Sequence, residues 1–125
     1  MTFDPELRLT LRAARTIRIE TSAGADRPVH EAVIWVVVDE VGRILVRSWR
    51  GERGRWYREL RANPTGVLRL GSRIVPIRAE HAADPERVGS CSRGLRDKYA
   101  SSRGSLAQML VDEVLPTTLE LKPDR

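Results

Sequence analysis

The sequence predicts an α+β protein: about six mostly antiparallel strands closed into a small β-barrel, with helices at its periphery. Three observations lead there. Short runs alternate apolar and polar residues, as half-buried strands do. Brief glycine-bearing turns join neighbouring runs, which favours hairpins. Two Asp-Pro pairs open helical segments outside those runs. A chain of 125 residues that holds six strands hides their edges best by closing the sheet, with helices over its ends.

The elements follow in chain order. Asp4-Pro5 supplies an N-cap acid and a first-turn proline, so a helix is expected to about Ala14. Thr16–Thr21 (TIRIET) puts Ile17 and Ile19 on one face and Arg18 and Glu20 on the other, a half-buried strand. Residues 22–28 form a loop. Glu31–Asp39 (EAVIWVVVD) is a continuous β-branched run, expected to be one strand buried on both faces. A turn at Val41-Gly42 returns it through Arg43–Trp49 as a long hairpin. Trp56 and Leu60, four apart, begin a helix that Asn63-Pro64 stops. A two-residue turn at Gly71-Ser72 joins two further strands. Pro76 lacks a ladder donor and marks an edge or bulge. Asp84-Pro85 starts a helix whose stripe is Val88, Cys91, Leu95 and Tyr99. Ser105 with Gln108 reads as a capping box for a short helix, and Pro116–Leu121 alternates as a closing strand.

The size fits one domain over 1–125, with an N-terminal helix to residue 15 and the barrel over 16–122. No stretch approaches the roughly 20 apolar residues of a membrane helix. The N-terminal segment carries acids and arginines and no apolar signal core, so a cytoplasmic protein is expected. The single cysteine, Cys91, excludes an internal disulfide or a cysteine metal cluster, and its helical stripe makes it a core residue. His30 and His81 stand alone in sequence, without metal-ligand spacing.

Charge is unevenly spread. Arg43 to Arg78 holds ten arginines against two glutamates, a net of +8, whereas the rest of the chain is net negative within an overall +5. An anionic partner for this segment is implied: phosphate, carboxylate or nucleic acid. The near-absence of lysine suits bidentate anion binding, and suits a GC-rich genome equally. The densest part is Arg47–Pro64, RSWRGERGRWYRELRANP. Gly51 and Gly54 allow close backbone approach, and a helix N-terminus follows. With Arg47, Arg50, Arg53 and Arg55 this is either an anion cradle or a solvated charged turn. Trp49 either walls an aromatic ligand or packs; Trp35 and Trp56 read as packing residues.

These residues resemble a known family. Ser48 ending a strand, Gly51, Trp56-Tyr57, Leu60, Ala62-Asn63-Pro64, and then a hairpin from Val67 to Arg78 with Gly71, Arg73, Pro76 and Arg78 look like the flavin/deazaflavin oxidoreductase split barrels. The likeness is greatest to the deazaflavin-dependent nitroreductases and a related branch of unknown function. It covers roughly Thr16 to Leu121. Two departures stand out. The glycine- and serine-bearing stretch usual before the buried strand is replaced by residues 22–35, which bring in His30-Glu31. The asparagine usual before the helical leucine is Glu59.

The resemblance implies an FMN-binding-type split barrel holding FMN or a deazaflavin coenzyme of the F-420 type. By position, Arg47, Ser48, Trp49, Arg50 and Gly51 would run along the cofactor, and Arg53, Arg55 and Trp56 would flank its anionic end. No acid–base constellation is evident, which fits a cofactor that carries the hydride itself. Tyr57, His30 and Tyr99 are the candidates for proton delivery. The family also implies a homodimer and a small organic substrate. Two other functions fit the chain: a non-catalytic flavin carrier or sensor, and a basic barrel that binds nucleic acid. The low aromatic content, 5%, argues against the last.

Overall fold

A computed structural model describes residues 3–124. Four α-helices and seven strands follow in the order α1 (Pro5–Ala13), β1 (Ile17–Ser22), β2 (Val29–Ile34), β3 (Val37–Val38), β4 (Ile44–Val46), α2 (Arg55–Ala62), β5 (Thr65–Leu70), β6 (Arg73–His81), α3 (Pro85–Lys98), α4 (Arg103–Leu110) and β7 (Leu119–Pro123). The strands form one sheet in the order β2-β1-β5-β6-β7-β4-β3, and every pairing is antiparallel. The fold is a split barrel.

The apolar run 31–39 is not one strand. β2 pairs with β1 at one end of the sheet, and β3 pairs with β4 at the other. The chain crosses between the two ends over Trp35-Val36, so the sheet must curl until its ends approach. This break yields seven strands where six are expected, and reduces the expected long hairpin to two residue pairs, Val37 with Leu45 and Val38 with Ile44. It also corrects the expected burial, because β2 lies at the sheet's end and leaves Val29 and Val33 more than 60% exposed.

A crossing segment has no ladder partner, so its backbone groups need others. Tyr99 supplies one: its hydroxyl accepts from the Val36 N–H at 3.2 Å and donates to the Arg15 carbonyl at 2.7 Å. Lys98 supplies the other, its Nζ donating to the carbonyls of Val36 (2.8 Å) and Leu11 (2.9 Å). The Trp35 indole stacks on the Tyr99 ring at 3.8 Å between centroids, and the Arg15 guanidinium sits 4.9 Å from that ring. Burial, with Arg15 adding to it, lowers the Lys98 ammonium to about 8.

Two cores flank β4, which is buried on both faces. Ile44 and Val46 point into the barrel with Ile17, Ile19, Leu68 and Ile77, while α1 contributes Leu7 and Leu11. Leu45 points the other way, onto Val37, Cys91, Leu95, Tyr99 and Met109. This is the period-2 alternation of a strand covered on both sides. α3 lies close on β3, because a Cβ at Gly94 would run into the Val37 side chain.

Both Asp-Pro helix starts are as expected: Asp4 accepts from Leu7 N–H at 2.7 Å and Asp84 from Arg87 N–H at 2.9 Å. The capping box is not. α4 begins two residues before Ser105, after Ser102, with no side-chain cap. Pro76 is not at an edge or bulge either: β6 lies between β5 and β7. Residues of an antiparallel strand point their N–H and C=O to the same side. The Pro76 carbonyl accepts from Asp124 N–H, just past the end of β7. Its missing donor therefore falls where that ladder stops.

The turn between β3 and β4 is held by Asp39, buried at 3% exposure. Its carboxylate accepts from the N–H groups of Val41 and Arg43, from Arg43 Nε at 2.7 Å and from Ser90 Oγ at 2.8 Å. Burial alone would raise its pKa. The hydrogen bonds from the Arg43 side chain and backbone and from Ser90 outweigh that and hold it below the ordinary value. A carboxyl depressed in the folded state stabilises above its unfolded pKa, about 4, and loses that contribution as pH falls below it. Asp39→Asn is therefore expected to cost about 2 kcal/mol at pH 7. The gap to the parent chain should narrow below pH 4, as read by urea unfolding across pH.

Candidate functional site

After β4 the chain turns sharply. Ser48 Oγ donates to the Gly51 carbonyl at 2.7 Å, Gly51 N–H returns to the Ser48 carbonyl at 3.0 Å, and Gly54 N–H bonds the Gly51 carbonyl at 3.2 Å. Gly51 has φ +65°, the left-handed region that glycine enters without penalty. Gly54 packs so close that a Cβ would run into Ser48 Oγ. Ser48 N–H donates to Thr117 Oγ1 at 3.0 Å, which anchors the loop to the segment before β7. The loop therefore enters α2 in a fixed shape, with Trp49 55% exposed and Arg50, Arg53 and Arg55 on the surface.

Two cavities meet at this loop. One of about 270 Å³ is lined by Trp35, Trp49, Trp56, Ile34 and Met109, with Arg47 in its wall. The other, about 350 Å³, is lined by Thr21, His30, Ser48, Arg50, Arg55 and Trp56. Val33, Trp49 and Trp56 line both, so the two adjoin as a groove-like surface, aromatic at one end and basic at the other. On the far side of Trp49 lies a more polar hollow of about 760 Å³, to which Arg50 and Arg53 contribute.

The structure thus gathers Ser48, Trp49, Arg50, Arg55, Trp56 and His30 along one groove, with Gly51 and Arg53 beside it. It does not bring the two tyrosines there. Tyr57 is buried in the barrel core and accepts from Arg61 at 2.8 Å. Tyr99 is buried in the second core beside Val37 and Leu95, with its hydroxyl spent on backbone. Arg47 turns inward. At 2% exposure, its guanidinium donates to Thr118 Oγ1 (2.9 Å), Ser92 Oγ (3.0 Å) and the carbonyls of Met109 (2.9 Å) and Val88 (3.0 Å). None of these partners is anionic. Burial pulls its pKa down, with Arg96 acting the same way against the pull of Cys91. Cys91 is fully buried, and burial pushes its thiol up to about 11 against the nearby Arg47 charge. It is a packed thiol, not a thiolate nucleophile.

One arrangement escaped sequence reasoning. Glu59 on α2 is nearly buried, and both of its oxygens are engaged. Oε1 accepts from Thr21 Oγ1 at 2.7 Å, and Oε2 lies 2.7 Å from His30 Nδ1. The β1–β2 register sets Thr21 opposite His30, and α2 lays Glu59 over both. The signal that could have found it is the pair of departures from the resembled pattern: His30 and Glu59, 29 residues apart, are in contact.

Replacing Arg47 with methionine would strip four hydrogen bonds from this site, with the Thr118 and Ser92 hydroxyls and the Met109 carbonyl among the groups that lose a partner. Arg47→Met is expected to lower stability by about 3 kcal/mol, seen as a lower urea midpoint. An unchanged midpoint would return Arg47 to ligand binding.

Comparisons with known proteins agree with the fold. The chain is similar over its full length to 82% of the conserved hypothetical protein Rv2991 from Mycobacterium tuberculosis, at TM-score 0.69 and 16% identity. It is similar over its full length to 92% of HutZ, the heme storage protein from Vibrio cholerae, at 0.65 and 13%. Over 86% of its length it is similar to 94% of an "F420-H2 Dependent Reductase (FDR-A)", at 0.64 and 15%. Identities this low bear on the fold alone. No curated protein matches the chain. Residues 8–121 match the model of the family described as "Uncharacterized protein conserved in bacteria (DUF2255)", and the chain belongs to that family.

Proposed function

We propose that the groove binds a planar aromatic redox cofactor with an anionic tail, a reduced deazaflavin or FMN, and that the protein transfers a hydride from it to a small organic acceptor. The observation that carries this is the groove itself. Trp35, Trp49 and Trp56 line an aromatic slot, and Arg50 and Arg55 stand at its polar end. Indoles stack on planar rings. Arginines take phosphate or carboxylate as bidentate partners. The donor set therefore fits such a group, and the reductase of similar fold is consistent with it.

When bound, the cofactor supplies the hydride. The chain's own residues do the rest. The tryptophans orient the ring, Arg50, Arg53 and Arg55 hold the tail, and the apolar wall of Ile34 and Met109 keeps water from the reacting face. A carrier that binds the same ring without turnover is the second reading, favoured by the similarity to a heme storage protein. It differs in one respect: it reduces no acceptor.

Titration with FMN and with the deazaflavin coenzyme, followed by tryptophan quenching, tests the proposal. One of them should saturate, and Arg50→Glu with Arg55→Glu should weaken it at least tenfold, about 1.4 kcal/mol or more. Failure of both ligands to bind below millimolar concentration would end the redox reading.

A homodimer is part of the same proposal. Val29 and Val33, 64% and 63% exposed, project from β2 at the end of the sheet, and Val33 and Trp49 bound the groove. Single exposed apolar residues are ordinary, but two valines on one face of a sheet's end strand, on either side of Glu31, leave an unpaired edge that a second copy would cover. Light scattering should give twice 14.1 kDa for the parent chain and a shift toward monomer for Val29→Glu/Val33→Glu. A parent chain that stays monomeric at high concentration would contradict the dimer.

A further inference from the structure

We infer that His30, held by Glu59, is the proton donor of the groove, protonating the acceptor as it is reduced. The inference rests on the cofactor reading above.

An ionised carboxylate only accepts hydrogen bonds. Glu59 Oε2 lies 2.7 Å from His30 Nδ1, and Oε1 is occupied by the Thr21 hydroxyl. With Glu59 as the acceptor of both bonds, the inferred tautomer carries its hydrogen on Nδ1 and leaves Nε2 as the nitrogen that exchanges a proton. Nε2 has no protein hydrogen-bond partner among the described residues. The imidazole is 36% exposed at its side chain, whereas the Glu59 carboxylate beneath it is only 11% exposed. A reactive imidazole open to a cavity, with a shielded carboxylate behind it, is the arrangement by which acid–base histidines are oriented.

The alternatives in the groove are poor proton donors. Its other polar members are the hydroxyls of Thr21, Ser48 and Ser105, the guanidinium groups of Arg47, Arg50 and Arg55, and the Glu31 carboxyl, which the alternation of β2 turns to the face opposite His30. Ser48 Oγ is committed to the Gly51 carbonyl and Thr21 Oγ1 to Glu59, and arginine keeps its proton in proteins. Tyr57 and Tyr99 are engaged elsewhere.

The step balances as follows. The acceptor receives a hydride, two electrons and one hydrogen nucleus, from the reduced flavin or deazaflavin, which becomes oxidised. The Nε2–H bond of the His30 imidazolium breaks, and its proton forms the second new bond on the acceptor. Neutral His30 is then reprotonated from solvent. The charged groups around His30 are Glu59 and Arg55 from α2, Arg50 from the loop and Glu31 beside it on β2.

Nitrogen-15 NMR of the full chain reads the tautomer without any cofactor. Neutral His30 should be Nδ1–H in the parent chain and should shift toward Nε2–H in Glu59→Ala. An Nε2–H parent form would overturn the proposal. Single-turnover reduction of nitrobenzene by the chain loaded with reduced cofactor reads the chemistry. His30→Gln should slow it by roughly 10²–10⁴-fold and flatten its pH profile, with cofactor affinity within threefold of the parent. Normal cofactor binding with an unchanged rate and pH profile in His30→Gln would sink this inference alone. A parent chain that binds neither cofactor would sink the cofactor reading and this one with it. Hemin binding whose absorption shift disappears in His30→Gln would instead make His30 an iron ligand and overturn the proton-donor role.

Discussion

The buried guanidinium of Arg47 is the constraint around which the molecule is arranged. It stays charged at any physiological pH, and the described structure pairs it with no carboxylate. A charge in such a place survives only if its donors are satisfied in good geometry. Four bonds do this, and they come from separate parts of the chain: Val88 and Ser92 of α3, Met109 of α4, and Thr118 just before β7. The two helices are thereby fixed over the outer face of β4, where Leu45, Cys91, Leu95 and Met109 close the second core. The next residue, Ser48, is bonded to Thr117 and to the Gly51 carbonyl. The loop that presents Trp49 and the surface arginines thus grows directly out of this anchored point.

Much of the fold was legible because local chemistry decides it. Asp4 and Asp84 cap their helices in fact as in sequence, since an acid before proline has few other uses. The β5–β6 hairpin follows from Gly71 in its two-residue turn, with φ +61°. What was not legible depended on distant partners. Nothing local marks the break at Trp35-Val36, because its unpaired backbone groups are met by Tyr99 and Lys98, more than 60 residues away. A continuous β-branched run looks the same whether it is one central strand or two strands at opposite ends of a curled sheet. Ser105 with Gln108 was misleading for a similar reason: the real start of α4 has no side-chain cap at all.

At the candidate site, the loop was legible and the chemistry was not. Gly51 and Gly54 stand out in sequence and are explained by a left-handed φ and a contact with Ser48. The placement of Arg47 inside and of its neighbours outside could not be read from a run of arginines, since burial depends on which carbonyls α3 and α4 bring. His30 and Glu59 each looked like an isolated oddity. Only the β1–β2 register and the path of α2 join them, and neither can be set from one chain's spacing.

The charge of the segment 43–78 also changes meaning once partners are known. Half of its ten arginines are committed within the protein. Arg43 serves Asp39 and Glu86, Arg69 serves Glu20, and Arg73 serves Asp4. Arg61 bonds Tyr57, and Arg47 is the buried anchor. Arg50, Arg53, Arg55, Arg58 and Arg78 have no acidic partner among the described residues. Three of these five fall within six residues of chain, on the loop whose shape Ser48 and the two glycines enforce and on the first residue of α2. A basic stripe of the kind that follows a nucleic-acid backbone would spread its free arginines along a face. Here Arg50 and Arg55 line the basic cavity beside the aromatic one, with Arg53 next to it, a concentration of charge that suits the compact anionic tail of the proposed cofactor better than an extended backbone.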